Sequence, residues 1–336
     1  MNKNFWKGKK VLVTGGAGFI GSNLIELLVS LDAQVCAVDN LERGKLEYLS
    51  NSLDKIVFVN ADLRDKNTCK KFCKSTDIVF HLAAKVGGIG YYTAKSGEVI
   101  LQNMLLDSTM LEAVLEENVP RYFYASSAHV YPITLQLNPD APLIKEEDAL
   151  PANPELSYGW AKLIAEKQIE YSAKENPNFR AAVARLIGVY GKNQDINLDT
   201  GSAIPVFISR AIEFPKMQPF LIWGSGFETR SYCYIDDVID GMLRMVEKLD
   251  GQQIVGPINL GNEKRIRIED LAKEVIKISG KEIKIEKDES KSTIIWGQTL
   301  DCSRAKILLD GWEATTPLQT GLKKSYDNIL EQYGNN

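Results

Sequence analysis

Short β-branched segments alternate with longer amphipathic segments in the first half of the chain, and this alternation constrains the fold most. Helical periodicity with one apolar face occurs at residues 19–31, 99–117 and 156–174. The segments with strand character are residues 10–14, 34–39, 55–60, 77–82, 121–126 and 179–186. Helices that connect successive strands supply right-handed crossovers between parallel strands. The pattern therefore predicts an α/β fold built on a doubly wound parallel sheet of the Rossmann type.

The pattern loosens after Tyr190, where residues 191–201 are polar, bounded by glycines and predicted to be a loop. Shorter elements follow at residues 204–214, 221–223, 236–248, 258–260, 268–279, 282–286 and 318–332. We expect residues 1–187 to form a cofactor-binding domain that residues 236–260 rejoin. Residues 188–235 and 261–336 then form a smaller mixed α/β substrate lobe over the carboxyl edge of the sheet.

Composition excludes several classes of partner. The 40 basic and 44 acidic side chains give a net charge of −4, which argues against binding to nucleic acid. We expect no membrane partner, because no apolar run reaches the roughly 18 residues of a membrane span, and the first residues do not resemble a signal peptide. Five cysteines without a framework spacing indicate reduced thiols and a cytoplasmic location. With two histidines in the chain, we expect no metal site.

A glycine-rich motif joins the first strand to the first helix. It reads Thr-Gly-Gly-Ala-Gly-Phe-Ile-Gly from Thr14 to Gly21, with Gly15, Gly18 and Gly21 in G-x-x-G-x-x-G spacing. These glycines allow a tight turn, close approach of a pyrophosphate and packing of helix on strand. Asp39 ends the next strand, where its carboxylate can bind ribose hydroxyls and repel a 2′-phosphate. The motif predicts NAD as the cofactor, with Arg43 as an argument for NADP.

Tyr158 and Lys162 lie four residues apart at the start of a predicted helix, so both fall on one helical face. An ammonium beside a phenol stabilises the phenolate and lowers its pKa from about 10. Such a tyrosine can accept the proton of a sugar hydroxyl while hydride leaves the same carbon. Ser127 is predicted at the carboxyl edge of the sheet, where ligands bind in such folds.

Taken together, these motifs, with Asp62-Leu63-Arg64 and the His-Leu-Ala-Ala sequence that starts at His81, resemble the extended short-chain dehydrogenase/reductase superfamily. The resemblance covers nearly the whole chain and implies an enzyme that modifies a nucleotide sugar with bound NAD. It implies that Asp62 contacts the adenine side, Lys162 the nicotinamide ribose, and Ser127 the substrate hydroxyl. The implied cofactor contacts are Gly15, Gly18, Phe19, Ile20, Gly21, Asp39, Asn40, Asp62, Leu63, Leu82, Ala83, Ala84, Lys85, Tyr158 and Lys162.

Within the superfamily, three stretches resemble the branch of GDP-mannose 3,5-epimerase and GDP-fucose synthase. The first contains Gly87 and Gly88, expected to approach the sugar; the second contains His129; and the third contains Arg230, expected to bind the diphosphate. The chain departs from the branch at His129, where the epimerases have a cysteine base. It also lacks their partner acid, which would fall near Ser202 or Ala203.

The resulting expectation is a nucleotide-diphosphosugar epimerase, with a GDP-hexose favoured, in which Tyr158 assists transient oxidation at C4. Epimerisation then occurs either at C4 or at C3 and C5 through His129, which is otherwise a packing residue. The alternatives are a net nucleotide-sugar dehydrogenase or reductase, a 4,6-dehydratase-like enzyme, and a binding module without catalysis. The resemblance also implies a homodimer joined through a bundle of the helices at residues 99–117 and 156–174.

Overall fold

A computed structural model describes residues 2–198, 200–291 and 294–334. Its strands are β1 Lys10–Thr14, β2 Gln34–Asp39, β3 Val57–Asn60, β4 Ile78–His81, β5 Arg121–Ser127, β6 Ala181–Leu186, β7 Val189–Tyr190, β8 Phe220–Trp223, β9 Thr229–Ser231, β10 Cys233–Tyr234, β11 Ile254–Leu260, β12 Arg265–Arg267, β13 Ile285–Asp288 and β14 Gly297–Gln298. Seven of them form one parallel sheet in the order β11-β6-β5-β4-β1-β2-β3. This is the predicted doubly wound sheet, and the fold class is confirmed.

The strand order reverses at β1, because the chain runs outward to β2 and β3 and then returns to β4 on the other side of β1. The carboxyl ends of β1 and β4 lie side by side there, with Thr14 in register with His81. In parallel sheets, the crevice outside such a reversal is where ligands bind. The topology thus brings the ends of β1, β2, β4 and β5 to one edge of the molecule.

Helices cover both faces of the sheet. They are α1 Lys3–Trp6, α2 Phe19–Ser30, α3 Lys66–Cys73, α4 Ile89–Ala94, α5 Ser96–Glu116, α6 Ser157–Glu175, α7 Ala203–Glu213, α8 Ile235–Lys248, α9 Ile268–Ser279, α10 Ser303–Leu308 and α11 Leu318–Gly334. Alternate residues of β1 face opposite sides: Val11 and Val13 join the core of α2 and α8, whereas Leu12 joins that of α3, α5 and α6. Burial of both faces explains why the strands are uniformly apolar rather than alternating.

The second half of the chain contributes both to the large sheet and to smaller ones. Helix α8 packs on the sheet, and β11 extends the sheet beside β6. The small sheets pair β8 with β13, β9 with β12 and β14, and β7 with β10. In the described parts of the chain, no helix is long and apolar enough to cross a membrane.

Several element boundaries differ from the sequence expectation by two or three residues. Strand β3 begins at Val57 because residues Leu53–Lys55 form a 3₁₀ turn, and β6 begins at Ala181 because Phe179 closes a turn on Asn176. Helix α5 begins at Ser96, three residues earlier than its apolar periodicity predicts. These differences lie at element ends, which periodicity defines least well.

Candidate active site

The glycine loop between β1 and α2 is shaped by close backbone contacts. Gly15 has a φ of +65°, and a Cβ atom there would lie 3.0 Å from the backbone of Ala83. A Cβ atom on Gly21 would lie 2.2 Å from the carbonyl oxygen of Gly15. Helix α2 begins after Gly18, so its first N–H groups point out of the helix without a side-chain cap. This cradle fits a diphosphate, which is the first test of the predicted cofactor site.

Asp39 is fixed at the end of β2. One carboxylate oxygen accepts a hydrogen bond from the N–H of Ala17 (3.1 Å), and the other accepts one from the N–H of Leu41 (2.8 Å). Burial raises the pKa of Asp39, and these two backbone donors oppose the rise. Gly44 lies against the carboxylate, since a Cβ atom on it would come within 2.8 Å of Asp39 Oδ1. The acid therefore has one defined orientation toward the cleft.

A cleft of about 400 Å³ runs along the carboxyl edge of the sheet. Every predicted cofactor residue lines it except Lys162, and Ser127 and Gly87 line it as well. Two of these residues are held by hydrogen bonds from neighbouring side chains. Asp62 accepts hydrogen bonds from Arg64, and the Asn103 amide accepts one from the N–H of Lys85 and donates one to its carbonyl oxygen (2.9 Å each). Asn103 was not identified from the sequence.

The predicted proton-transfer residues meet at one end of this cleft. Ser127 ends β5, and its Oγ accepts a hydrogen bond from the N–H of His129 (3.2 Å). Tyr158 is the second residue of α6 and lines the cleft, with the Lys162 ammonium 5.7 Å from the centre of its ring. Lys162 lies behind Tyr158, only 2% exposed. Gly159 permits this placement, because a Cβ atom there would lie 2.0 Å from the His129 carbonyl oxygen.

Tyr158 is covered by Tyr92 from helix α4. The two rings stack with centroids 5.1 Å apart and an interplanar angle of 21°. Burial raises the pKa of Tyr158 well above its usual value, and Tyr92 and Asp107 add to the rise. Desolvation of the phenol thus opposes the lowering of this pKa that the sequence argument expects from Lys162.

A buried polar chain connects the glycine loop to Lys162. Thr14 Oγ1 lies 2.9 Å from His81 Nδ1, and His81 Nε2 lies 3.2 Å from Asp107 Oδ1. Asp107 also accepts a hydrogen bond from the Tyr124 hydroxyl (2.7 Å) and lies 3.5 Å from Lys162 Nζ. His81 is thus a structural residue, as its place in a buried strand indicates. Asp107 was not identified from the sequence. An acidic residue within a largely apolar helix is a signal from which a buried ion pair could have been predicted.

Four predicted site residues do not line the cleft in the described part of the chain: Gly88, His129, Lys162 and Arg230. The His129 ring lies edge-on to the rings of Tyr92 and Tyr158, with ring centroids 6.1 and 6.0 Å apart. Burial, with a smaller effect from Arg230, lowers the pKa of His129 to about 4. The Arg230 guanidinium donates to the carbonyl oxygens of Thr229 (2.8 Å) and Ile295 (2.9 Å).

Gly87 and Gly88 have packing partners of their own. A Cβ atom on Gly87 would meet the Tyr91 ring at 2.5 Å, and one on Gly88 would lie 3.3 Å from the Gly201 carbonyl oxygen. The absence of a side chain at both positions is therefore explained by contacts within the chain. Approach to a sugar stays a prediction for both glycines.

The far wall of the cleft is formed by residues 193–195 and 200–202, which we call the strap. Asp195 of the strap forms an ion pair with Arg43 (2.6 Å), and Arg43 also donates to the carbonyl oxygen of Val86. Asn193 of the strap donates to Ser22 Oγ at the start of α2 (3.1 Å). Arg43 lines the cleft, and its guanidinium is engaged by the strap and by Val86.

Comparison with known proteins identifies the family. Residues 11–261 match the model of the "NAD dependent epimerase/dehydratase family". The chain belongs to this family. Its members are NAD-dependent, and the fit of the glycine loop, Asp39 and the cleft agrees with NAD as the cofactor of this epimerase/dehydratase.

The relatives are sugar-nucleotide enzymes. GDP-mannose 3,5-epimerase 1 of Oryza sativa subsp. indica is 31% identical over 98% of this chain and 84% of its own length. A putative UDP-glucose 4-epimerase of Methanocaldococcus jannaschii is 28% identical over 94% of this chain and 96% of its own. The solved structure of UDP-glucose 4-epimerase from Thermotoga maritima matches with a TM-score of 0.83 and 26% identity, covering 96% and 99% of the two chains.

Proposed function

We propose that this family member is a nucleotide-diphosphosugar epimerase that inverts C4 by transient oxidation. The observation that supports this most directly is that Ser127 and Tyr158 line the same cleft as the glycine loop and Asp39. A sugar carbon held at that end lies beside both a proton acceptor and the cofactor position. The similarity to epimerases supports the same reaction class.

The residues of the chain divide the proton chemistry between them. NAD, when bound, supplies the acceptor and donor of hydride at the sugar carbon. Tyr158 takes the proton of the C4 hydroxyl and later returns it, Lys162 stabilises the phenolate, and Ser127 binds the reacting oxygen. Because Tyr92 covers one face of Tyr158, a sugar that approaches this face must displace the Tyr92 ring.

Inversion at C4 is favoured over inversion at C3 and C5 by the state of His129. A histidine whose pKa is about 4 is neutral at pH 7 and is a weak base for a carbon-bound proton. The position expected for the partner acid is Ser202, which lines the cleft but carries no ionisable group. The described residues of the cleft thus offer Tyr158 for the hydroxyl proton, and Ser202 supplies no acid to match His129 for carbon protons.

The second candidate is inversion at C3 and C5 of a GDP-hexose. It is favoured by the 31% identity to a GDP-mannose 3,5-epimerase over nearly the whole chain. Under either outcome we propose a guanosine diphosphate as the nucleotide, with Arg230 as a contact of the diphosphate and the backbone at Gly87 and Gly88 as contacts of the sugar.

The proposed assembly is a homodimer formed by α5 and α6 of two chains. Both helices leave apolar side chains in solvent, among them Leu101 (62% exposed) and Tyr171 (60% exposed). We place the dimer in the cytoplasm, which is supported by five cysteines without disulfide bonds. In this proposal residues 1–187 and 236–260 bind NAD, and residues 188–235 and 261–336 hold the nucleotide sugar.

The test is incubation of the purified protein with GDP-, UDP- and dTDP-sugars in heavy water, followed by NMR. A changed configuration at C4 without deuterium at C3 or C5 is expected. Deuterium at C3 or C5 would establish the second candidate instead. Turnover that requires added NADH or NADPH would replace both with a net reductase, because an epimerase reuses the NAD it carries.

A further inference from the structure

The carboxylate that faces Lys162 in the interior belongs to Asp107 on α5. Its Oδ1 lies 3.5 Å from Lys162 Nζ, and both side chains are about 2% exposed. Glu166, one turn farther along α6, has its carboxylate engaged by two nitrogens of Arg185 (2.6 and 3.0 Å). Among the described residues, Asp107 is therefore the acid paired with Lys162.

The hydrogen bonds around Asp107 define its charge state. Thr14 Oγ1 accepts the N–H groups of Leu82 (3.0 Å) and Ala83 (3.1 Å), so its own hydrogen is free to be donated to His81 Nδ1. The proton of the neutral His81 ring then sits on Nε2 and is donated to Asp107. With Tyr124 and Lys162 also donating, every partner of the carboxylate is a donor, which favours the anion.

The charges that face Lys162 from each surrounding element leave Asp107 as its only uncompensated counter-ion in the described structure. From β5, the neutral Tyr124 ring lies 4.5 Å from Nζ, and from α6 the neutral Tyr158 ring lies 5.7 Å away. Glu166 is neutralised by Arg185, and His81 on β4 is neutral. Burial lowers the pKa of Lys162, and the Asp107 carboxylate, with a smaller effect from Glu166, opposes this lowering.

We propose that Asp107 is a positioning residue that holds Lys162 as an ammonium beside Tyr158 and so sets the alkaline limit of the reaction. The proposal rests on the roles of Tyr158 and Lys162 in the proposed function. Through His81 and Thr14, the same carboxylate also connects Lys162 to the strand end that precedes the glycine loop. A neutral lysine in this place would still fill the space but would not stabilise a phenolate.

The test is Asp107→Asn, which keeps the shape of the side chain and removes its charge. The alkaline limb of the pH profile of turnover should move to lower pH by about one pH unit or more, the range for a buried opposite charge at this distance. Titration of the ¹³Cε signal of Lys162, assigned with a Lys162→Met variant, should show the same shift without turnover. Bound NAD, measured by release from denatured protein, should be unchanged.

The matched control is Tyr124→Phe, which removes a hydrogen bond to the same carboxylate and leaves its charge. Its alkaline limb should stay within about 0.3 pH units of the parent, since the charge sets the effect. If Asp107→Asn does not fold, Asp107→Ser is the second variant, because its smaller side chain leaves room for a water molecule and also lacks charge. It should show the same shift.

Two results would overturn the proposal. One is an unchanged titration of Lys162 in a folded Asp107→Asn or Asp107→Ser variant, which lacks the carboxylate charge. The other is a shifted titration with an unchanged pH profile of turnover, because the ion pair would then not limit the reaction. If the parent protein epimerises no sugar, the proposed function fails separately, and the NMR titration still decides whether Asp107 keeps Lys162 charged.

Discussion

Replacement of His129 by phenylalanine tests whether a neutral, partly buried imidazole lies beside Tyr158. The pKa of His129 is about 4 in the folded protein, against about 6.5 for an ordinary histidine. Between these values the unfolded chain binds a proton that the folded protein does not bind, so stability rises with pH. The contribution of His129 is complete above pH 6.5 and is lost as the pH falls toward 4. Phenylalanine keeps the ring contacts with Tyr92 and Tyr158 and cannot titrate.

The magnitude follows from proton linkage. Each pH unit between the two pKa values changes the free energy of unfolding by about 1.36 kcal/mol. Between pH 7 and pH 5 this free energy therefore falls by about 1.8 kcal/mol through His129. Unfolding of a chain of 336 residues has an entropy of about 0.7 kcal/mol/K, at about 2.1 cal/mol/K for each residue. The melting temperature of the parent should therefore fall by about 3 °C more than that of His129→Phe on acidification from pH 7 to pH 5.

The assay is thermal unfolding of both proteins at pH 5, 6 and 7, together with C4 epimerisation at pH 7. His81 is also buried and also contributes acid sensitivity, but it is present in both proteins and cancels in the comparison. The variant should epimerise C4 within a few-fold of the parent, because Ser127, Tyr158 and Lys162 are unchanged. Equal pH dependence of the two melting temperatures would refute the buried neutral state. Loss of a deuterium exchange at C3 or C5 that the parent performs would refute the packing role.

Four further outcomes are expected. Tyr158→Phe should lower turnover at least about 10²-fold at unchanged NAD content and melting temperature, and near-parental turnover would remove Tyr158 from the proton transfer. Asp39→Ala should weaken NAD and relax discrimination against NADP in titrations of stripped protein; an unchanged preference would assign selectivity to another group. Arg43→Ala should speed loss of NAD during gel filtration, because the strap loses its ion pair with Asp195, and equal retention would contradict this. Leu101→Glu should turn a dimer of two 37.5 kDa chains into monomers by light scattering; a parental protein that is already monomeric would refute the proposed interface.

The cofactor half of the site could be predicted from sequence because its residues are local to strand ends. The glycine loop and Asp39 follow two strands whose positions periodicity defines, and a parallel sheet necessarily brings those ends to one edge. The pairing of Tyr158 with Lys162 could also be predicted from the sequence, because a spacing of four residues places both on one helical face. These features depend on short stretches of chain and on one topological rule.

The remainder of the site depends on packing between distant segments, which residue spacing does not encode. The stacking of Tyr92 on Tyr158 depends on how the six-residue helix α4 sits over the sheet. The pairing of Asp107 with Lys162 depends on the contact between α5 and α6. The expected catalytic role of His129 and the expected diphosphate contact of Arg230 were based on motif position and side-chain chemistry. The structure shows the contacts that these side chains make within the chain, with neighbouring rings and backbone carbonyls.

The strap has a consequence for the exchange of cofactor between this enzyme and the solution around it. The strap forms one wall of the cleft and is joined to the opposite side by the pairing of Asp195 with Arg43 and of Asn193 with Ser22. We expect exchange of the dinucleotide to require these contacts to open, because they join the two sides of the cleft that it occupies. An epimerase that reuses its bound NAD in every cycle is redox-neutral overall, so its turnover does not depend on the ratio of oxidised to reduced nicotinamide around it.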